Sequence, residues 1–160
     1  MISTVYLRSV EIFDGLTDDE LKEISVCCEE FDLGEEMTLF EEDDEAKFLY
    51  SLVDGAVSLR YQLPGKEGKK ENTLSTLEPG GTFGWSSLVP PHTYNVAAYC
   101  TEKNCKAVRI NRQKLIDALE ANHTIGYKVM KNLTRVISQR FLHLRDEVMT
   151  EFCQNMIDGW

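Results

Sequence analysis

The chain has 160 residues, of which 42% are hydrophobic and 28% are charged, a size and composition typical of a single folded domain. Its apolar runs are shorter than the roughly 20 residues of a membrane-spanning helix, and residues 1–13 lack a signal-peptide pattern, so we expect a cytoplasmic protein without membrane association. The net charge of −10 argues against a basic nucleic-acid-binding surface.

A short helix is predicted near the N-terminus. Thr17 is followed three residues later by Glu20, the capping-box pattern in which each side chain binds a free backbone amide at the helix start. Leu21, Ile24 and Cys28 then recur at helical spacing. Residues 1–28 are therefore assigned to an N-terminal helical segment.

Residues 29–110 have the pattern of short β-strands. Seven stretches are rich in β-branched, aromatic and leucine residues, and glycine, proline and aspartate separate them. Their sequences are EEFDL, EMTLFEE, KFLYSLV, AVSLRYQL, NTLSTL, YNVAAYC and CKAVRI. Strands at this spacing predict an antiparallel roll, sandwich or barrel.

Residues 111–160 are predicted to be helical. Asn111 is placed to cap a first helix, and the residues 121–124 mark a break before a long helix that runs from about 123 to 155. Apolar residues recur along the long helix at steps of three and four, while Lys131, Arg135, Arg140 and Arg145 lie elsewhere around it. The apolar positions are Met130, Leu133, Ile137, Phe141, Leu144, Val148 and Phe152.

This apolar stripe requires a covering surface. A helix about 50 Å long is longer than a small roll, so we expect a homodimer in which part of the stripe pairs with its copy in a second subunit. Packing against the chain's own roll alone is the alternative. The chain leaves no room after this helix for a helix-turn-helix domain, so no direct DNA binding is expected, and the apolar residues at the helix end would suit a protein partner.

A glycine-rich segment between two strands, residues 78–94, is called the cassette here. Gly80, Gly81 and Gly84 permit tight backbone turns. Ser86 or Ser87 is expected to cap a short helical turn that Pro90 and Pro91 close. Helix starts beside glycines bind anions, so the cassette is a candidate anion site.

The ordered set of these features closely resembles the cyclic-nucleotide-binding domain of the cAMP receptor protein superfamily. The matching segments are GLTDDE at 15–20, LGE at 33–35, FLYSLVDGAV at 48–57, PGGTFG at 79–84 and NRQKL at 111–115. The resemblance covers about residues 10–155. It implies a mainly β fold with flanking helices, an antiparallel β-roll of jelly-roll type, with a short N-terminal helix and a long C-terminal dimerisation helix.

The cassette departs from that family at two positions. In the family a Glu after Phe-Gly binds the ribose and an Arg several residues later pairs with the cyclic phosphate. Here Trp85 takes the first position and Thr93 the second, or Tyr94 or Asn95 if the gap is drawn differently. A hydrogen bond to a charged group contributes about 1.5–3 kcal/mol, so losing both lowers affinity by a factor on the order of several hundred. We therefore expect weak or no cAMP binding.

The resemblance implies a ligand pocket within the roll, and the predicted ligand-binding residues are Phe83, Gly84, Trp85, Ser86, Ser87, Thr93, Tyr94 and Ser138. Ser138 lies on the long helix, where the family's base-contacting polar residues fall. The sequence specifies no cofactor, and the expected ligand is a cyclic nucleotide or another small anion. Trp85 either stacks on a planar ligand or fills the pocket.

Two functions follow from these alternatives. The first is a non-enzymatic ligand sensor that signals through the C-terminal helix. The second is a protein–protein interaction module that retains the roll without a ligand. A metal site is not predicted, because His92, His123 and His143 lack metal-binding spacing, although His92 or Cys100 leaves a haem sensor open.

The five cysteines are an odd number without C-x-x-C spacing, so free thiols are expected. Cys100 and Cys105 flank the sequence TEKN and would face each other if that segment forms a hairpin.

Overall fold

The structure is a computed structural model that describes residues 2–65 and 69–158. Its helices are α1 (Thr4–Leu7), α2 (Asp18–Ser25), α3 (Arg112–Ala121) and α4 (His123–Asp158). Its strands are β1 (Cys28–Gly34), β2 (Thr38–Phe40), β3 (Phe48–Asp54), β4 (Val57–Arg60), β5 (Thr73–Leu77), β6 (Thr82–Phe83), β7 (Ala97–Cys100) and β8 (Asn104–Asn111). The order of short helices, strands and long C-terminal helix agrees with the sequence-based prediction.

The strands form two four-stranded antiparallel sheets. One sheet has the order β1-β8-β3-β6 and the other the order β2-β7-β4-β5, so the predicted antiparallel roll is confirmed. Each of the seven predicted stretches overlaps one strand. The eighth strand, β6, was not predicted because it has only two residues, which lie within the cassette.

Alternation along the strands divides the core between two layers. In β3, Leu49 packs with the helices, while the side chains of Tyr50 and Leu52 lie in the cluster between the sheets. Val108 and Ile110 of β8 also face the helices. Because successive side chains of a strand point to opposite faces, the first sheet contributes to both layers and the helices cover its outer face.

The predicted capping box at α2 is confirmed. The Thr17 hydroxyl accepts from the Glu20 amide at 3.3 Å, and the Glu20 carboxylate accepts from the Thr17 amide at 2.7 Å. The same carboxylate accepts from Lys128 Nζ of α4 at 2.8 Å. These hydrogen bonds, with that from Lys128 first, lower the pKa of Glu20. The N-terminal segment is thereby tied to the long helix.

The break between α3 and α4 falls where it was predicted. The Asn111 side chain caps α3 by accepting from the Lys114 amide at 3.0 Å, and α3 ends at Ala121. A Cβ at Gly126 would lie 2.8 Å from the Leu119 carbonyl oxygen. Glycine is therefore required where the first turn of α4 crosses α3.

The long helix α4 has a buried first half and an exposed second half. Ile125, Val129, Leu133 and Val136 are buried against the N-terminal helices and the first sheet. From residue 145 to residue 157 every side chain is exposed, including Val148, Met149, Phe152, Met156 and Ile157. The predicted stripe is therefore covered by the roll only in part. No helix in the described ranges has the length and apolar character needed to cross a membrane.

The expectation of free thiols is wrong for two of the five cysteines. Cys100 at the end of β7 and Cys105 in β8 form a disulfide across the hairpin, with their Cα atoms 6.2 Å apart. Cys27, Cys28 and Cys153 are free. Because the Cys100 sulfur is bonded to Cys105, it cannot also be an axial ligand of a haem.

Candidate ligand site

The cassette turns sharply after β6. Gly84 adopts a left-handed conformation with φ of 75°, and a 3₁₀ turn follows at Trp85–Leu88. Gly84 is the N-cap of this turn and no side chain caps it, so the predicted cap by Ser86 or Ser87 is wrong. A Cβ on Gly84 would lie 3.1 Å from Tyr50 Cδ2 and 3.3 Å from the Phe48 carbonyl oxygen. Glycine thus brings the turn close against β3.

The far end of the cassette is anchored by Tyr94. Its hydroxyl donates to the Phe48 carbonyl oxygen at 2.6 Å and accepts from the Phe48 amide at 3.3 Å. Its ring stacks on that of Phe40, with the centroids 3.8 Å apart. Burial raises the pKa of Tyr94, so the phenol stays protonated. Tyr94 thus holds this end of the cassette against the roll.

A cavity of about 280 Å³ lies between the cassette, the second sheet and α4. This volume is just below the roughly 300–1,000 Å³ found for small-molecule sites. Most of the lining is apolar. It comprises Phe40, Leu59, Leu74, Ser75, Gly84, Trp85, Ser86, Tyr94, Asn95, Val96, Ile137, Arg140, Phe141, His143 and Leu144.

Arg140 connects α4 to the cassette. Its guanidinium carbon lies 4.6 Å from the centroid of the half-buried Trp85 ring. Nη2 donates to the Thr82 carbonyl oxygen and lies 3.5 Å from Glu11 Oε1. Nη1 is buried without a hydrogen-bond partner in the described part of the chain. Burial lowers the pKa of Arg140, but a guanidinium remains charged at neutral pH.

The predicted site residues separate into three groups. Gly84, Trp85, Ser86 and Tyr94 line the cavity, while Thr93 lines an adjoining cavity that Trp85 and Ser86 also border. Phe83 and Ser87 are fully buried and lie outside the lining of the main cavity, with the Phe83 ring stacked on Tyr50 at 5.4 Å between centroids. Ser138 is exposed on α4 and is not part of that lining.

The sequence predicted a ligand contact on α4 at Ser138, but not the residues of α4 that line the cavity. Ile137, Arg140, Phe141 and Leu144 are all lining residues, whereas Arg140 was placed elsewhere around the helix. The available signal was spacing, because residues three and four apart share a helix face and Arg140 lies three after Ile137. That spacing does not tell which face meets the roll.

Within residues 2–65 and 69–158, no group of three or more His, Cys, Asp or Glu side chains could hold a metal ion. His92 Nδ1 lies 3.0 Å from the Ser87 carbonyl oxygen, so this ring is engaged with the cassette backbone.

The comparisons with known proteins converge on one family. A family model described as the cyclic nucleotide-binding domain matches residues 31–122. A candidate cyclic nucleotide-binding protein from Geobacter metallireducens GS-15 is 32% identical, with a TM-score of 0.75 over 88% of this chain and 99% of that chain. No curated protein matches the sequence.

Two further solved structures share the fold at lower identity. A cyclic nucleotide-binding domain from Methylobacillus flagellatus KT is 17% identical, with a TM-score of 0.76 over 92% of this chain and 84% of that chain. The regulatory domain of Toxoplasma gondii PKA, crystallised with cAMP, is 14% identical, with a TM-score of 0.66 over 85% of this chain and 48% of that chain.

Proposed function

Because the chain belongs to the cyclic nucleotide-binding domain family, we propose that it is a cytoplasmic, non-enzymatic sensor that binds a small ligand and signals through α4. The observation that carries this proposal is the shared cavity. Trp85 of the cassette and Ile137 and Arg140 of α4 line the same space. A ligand in this cavity would contact the roll and the helix together.

Signalling requires that the ligand makes different contacts in two conformations of the protein. A ligand shifts a conformational equilibrium only by binding one state better than the other. Here a ligand that enters beside Trp85 changes the surroundings of Arg140, whose guanidinium stacks on that ring. Since Arg140 belongs to the helix, the position of α4 is coupled to occupancy of the cavity.

Cyclic AMP is expected to bind weakly or not at all. Trp85 and Thr93 carry no charge at the two positions where the family binds the ribose and the phosphate. No carboxylate is among the residues that line the cavity in the described chain, so the ribose hydroxyl lacks its usual partner. The polar edges of the base would also meet a mostly apolar lining, which leaves them unpaired at a cost.

The exposed half of α4 supports a homodimer. Val148, Phe152 and Met156 are more than half exposed, and their spacing of four places them near one face of the helix. The roll does not reach this part of α4. A second copy of the same helix offers a matching apolar face, as in two-stranded helical packing, and the dimer would transmit a movement of α4 to both subunits.

The alternative function is an interaction module that binds no ligand. It is favoured by the Trp85 ring, which is half-buried and already stacked on Arg140, so that the family pocket is partly filled by the chain itself. Under this alternative the roll is only a scaffold for α4 and for a protein partner.

A thermal-shift panel separates the two functions. The compounds are cyclic mononucleotides, cyclic dinucleotides and small organic anions, each compared with a ligand-free control. Leu74→Trp fills the cavity from its rim, and Leu63→Trp is the matched control, since both leucines are about 40% exposed and only Leu74 lines the cavity. A sensor predicts a stabilising compound whose effect is lost in L74W and kept in L63W. If no compound raises the melting temperature, the ligand-free module is the better description.

A further inference from the structure

The permanent charge in the lining of the cavity is confined to one side chain among the described residues. Arg140 is the one permanently charged side chain in its lining among the described residues, and the other lining groups are apolar or neutral, apart from the titratable His143. This charge comes from α4, whereas the cassette contributes none. A ligand with a single negative charge would therefore meet its counter-ion on the helix.

One nitrogen of the Arg140 guanidinium has no hydrogen-bond partner among the described residues. Nη2 is taken by the Thr82 carbonyl oxygen and by Glu11, which lies outside the lining of the cavity. Nη1 has no partner within residues 2–65 and 69–158 and is shielded from solvent. A guanidinium presents its N–H groups as a planar fork that matches a carboxylate. Because Nη1 has almost no accessible surface, an acceptor reaches it only when the guanidinium shifts from the position seen here.

The remaining lining restricts the rest of the ligand. Phe40, Val96, Ile137 and Leu144 surround the space with apolar side chains, and the Trp85 ring provides a flat surface for stacking. A volume of about 280 Å³ accepts one or two fused rings. A nucleotide has many polar atoms, and an apolar lining would leave most of them without hydrogen bonds.

We propose, building on the sensor function above, that the ligand class is a small planar aryl carboxylate whose charge is bound by Arg140 of α4 rather than by the cassette. In this arrangement a residue of the helix itself pairs with the charge of the ligand. A carboxylate that draws Arg140 toward itself competes with the stacking of Arg140 on Trp85, so binding and displacement of the helix become a single event.

The test compares 2-naphthoate with its uncharged analogue 2-naphthamide by isothermal titration calorimetry. The wild-type protein should bind the carboxylate at least about tenfold more tightly than the amide, as expected for a charge-assisted hydrogen bond. R140Q should bind both compounds equally, and R140K should give an intermediate preference. R145Q is the matched control, because Arg145 is exposed on the same helix and pairs with Asp146. It should retain the wild-type preference.

Circular dichroism and the melting temperature establish that R140Q and R140K are folded. Equal binding of the two naphthalenes to the wild type, or a preference that persists in R140Q, overturns the role of Arg140 while leaving the sensor intact. Binding of a cyclic nucleotide with no binding of 2-naphthoate would likewise overturn the aryl carboxylate proposal and leave the sensor function intact. If neither these compounds nor the wider panel binds, the proposed sensor function fails as well.

Discussion

The guanidinium carbon of Arg140 lies 4.6 Å from the centroid of the Trp85 ring. A cation–π contact of this kind contributes about 0.5–2 kcal/mol, depending on how far it is desolvated. It joins α4 to Trp85, the cassette residue at the position where the family resemblance predicts a ribose-binding Glu. The residue that we expect to weaken nucleotide binding therefore also links the cavity to the helix.

Restoring the two family charges should create nucleotide binding. The double variant W85E/T93R is expected to raise the affinity for cAMP by about a hundredfold or more, because it supplies two hydrogen bonds to charged groups. Isothermal titration calorimetry measures the change. In the control W85Q/T93Q, the glutamine at position 85 has the same length as the glutamate, and neither substituted residue is charged. A similar gain in that variant would show that removal of the indole, and not charge, was responsible.

Charge on the exposed face of α4 should separate a dimer. In V148E/F152E two carboxylates replace side chains that are 63% and 60% exposed, and burying them against a second helix is costly. Size-exclusion chromatography with light scattering should show the monomer mass. The control T150E/Q154E adds the same charge on a different face of the helix. This variant should remain dimeric. A wild-type protein that is already monomeric would refute the homodimer.

Alanine at Gly84 should destabilise the protein more than alanine at Gly15. Both residues have nearly equal positive φ, 75° and 76°, so each variant loses about 1–2 kcal/mol from the left-handed backbone. A Cβ at Gly15 has nothing within 4 Å, whereas at Gly84 it meets the Tyr50 ring at 3.1 Å, which adds about 1–3 kcal/mol. Urea unfolding gives both values. Equal losses would mean that the turn relaxes away from β3.

The hairpin disulfide predicts a thiol count. Of the five cysteines, three should react with a thiol reagent in denatured, unreduced protein, and all five after reduction. Reduction should lower the free energy of unfolding by about 2 kcal/mol, since the bond closes a short loop. C153S calibrates the assay, because it removes one exposed thiol. Five reactive thiols before reduction would contradict the disulfide between Cys100 and Cys105.

Local patterns predicted the fold well. The capping box at Thr17, the cap at Asn111 and the break before His123 are all present, because each depends on neighbours within a few residues along the chain. Strand β6 was not predicted, because it depends on a partner strand that is distant along the chain. Two residues are too few for a period, and the pairing of Tyr50 with Phe83 supplies the strand.

The predicted residues that line the cavity all belong to the cassette, because Ser138, the residue predicted on α4, lies outside the lining. The sequence identified Trp85 as the residue that separates this chain from the family pattern, since a motif can be read position by position. Tertiary structure placed Phe83 and Ser87 in the core and brought Arg140 to Trp85. The rotation of α4 on the roll decides this contact, and that rotation is set by the packing of Val129, Leu133 and Val136.

By itself the sequence determined the order of the elements, the family resemblance and the absence of both family charges from the cassette. Only the tertiary structure decided which side chains share the cavity, that its one permanent charge within the described residues belongs to α4, and that Cys100 is bonded to Cys105. The physical reason is distance along the chain. Caps, turns and periodicity act between near neighbours, whereas a cavity is formed by residues that meet only when the sheets and the helix pack together.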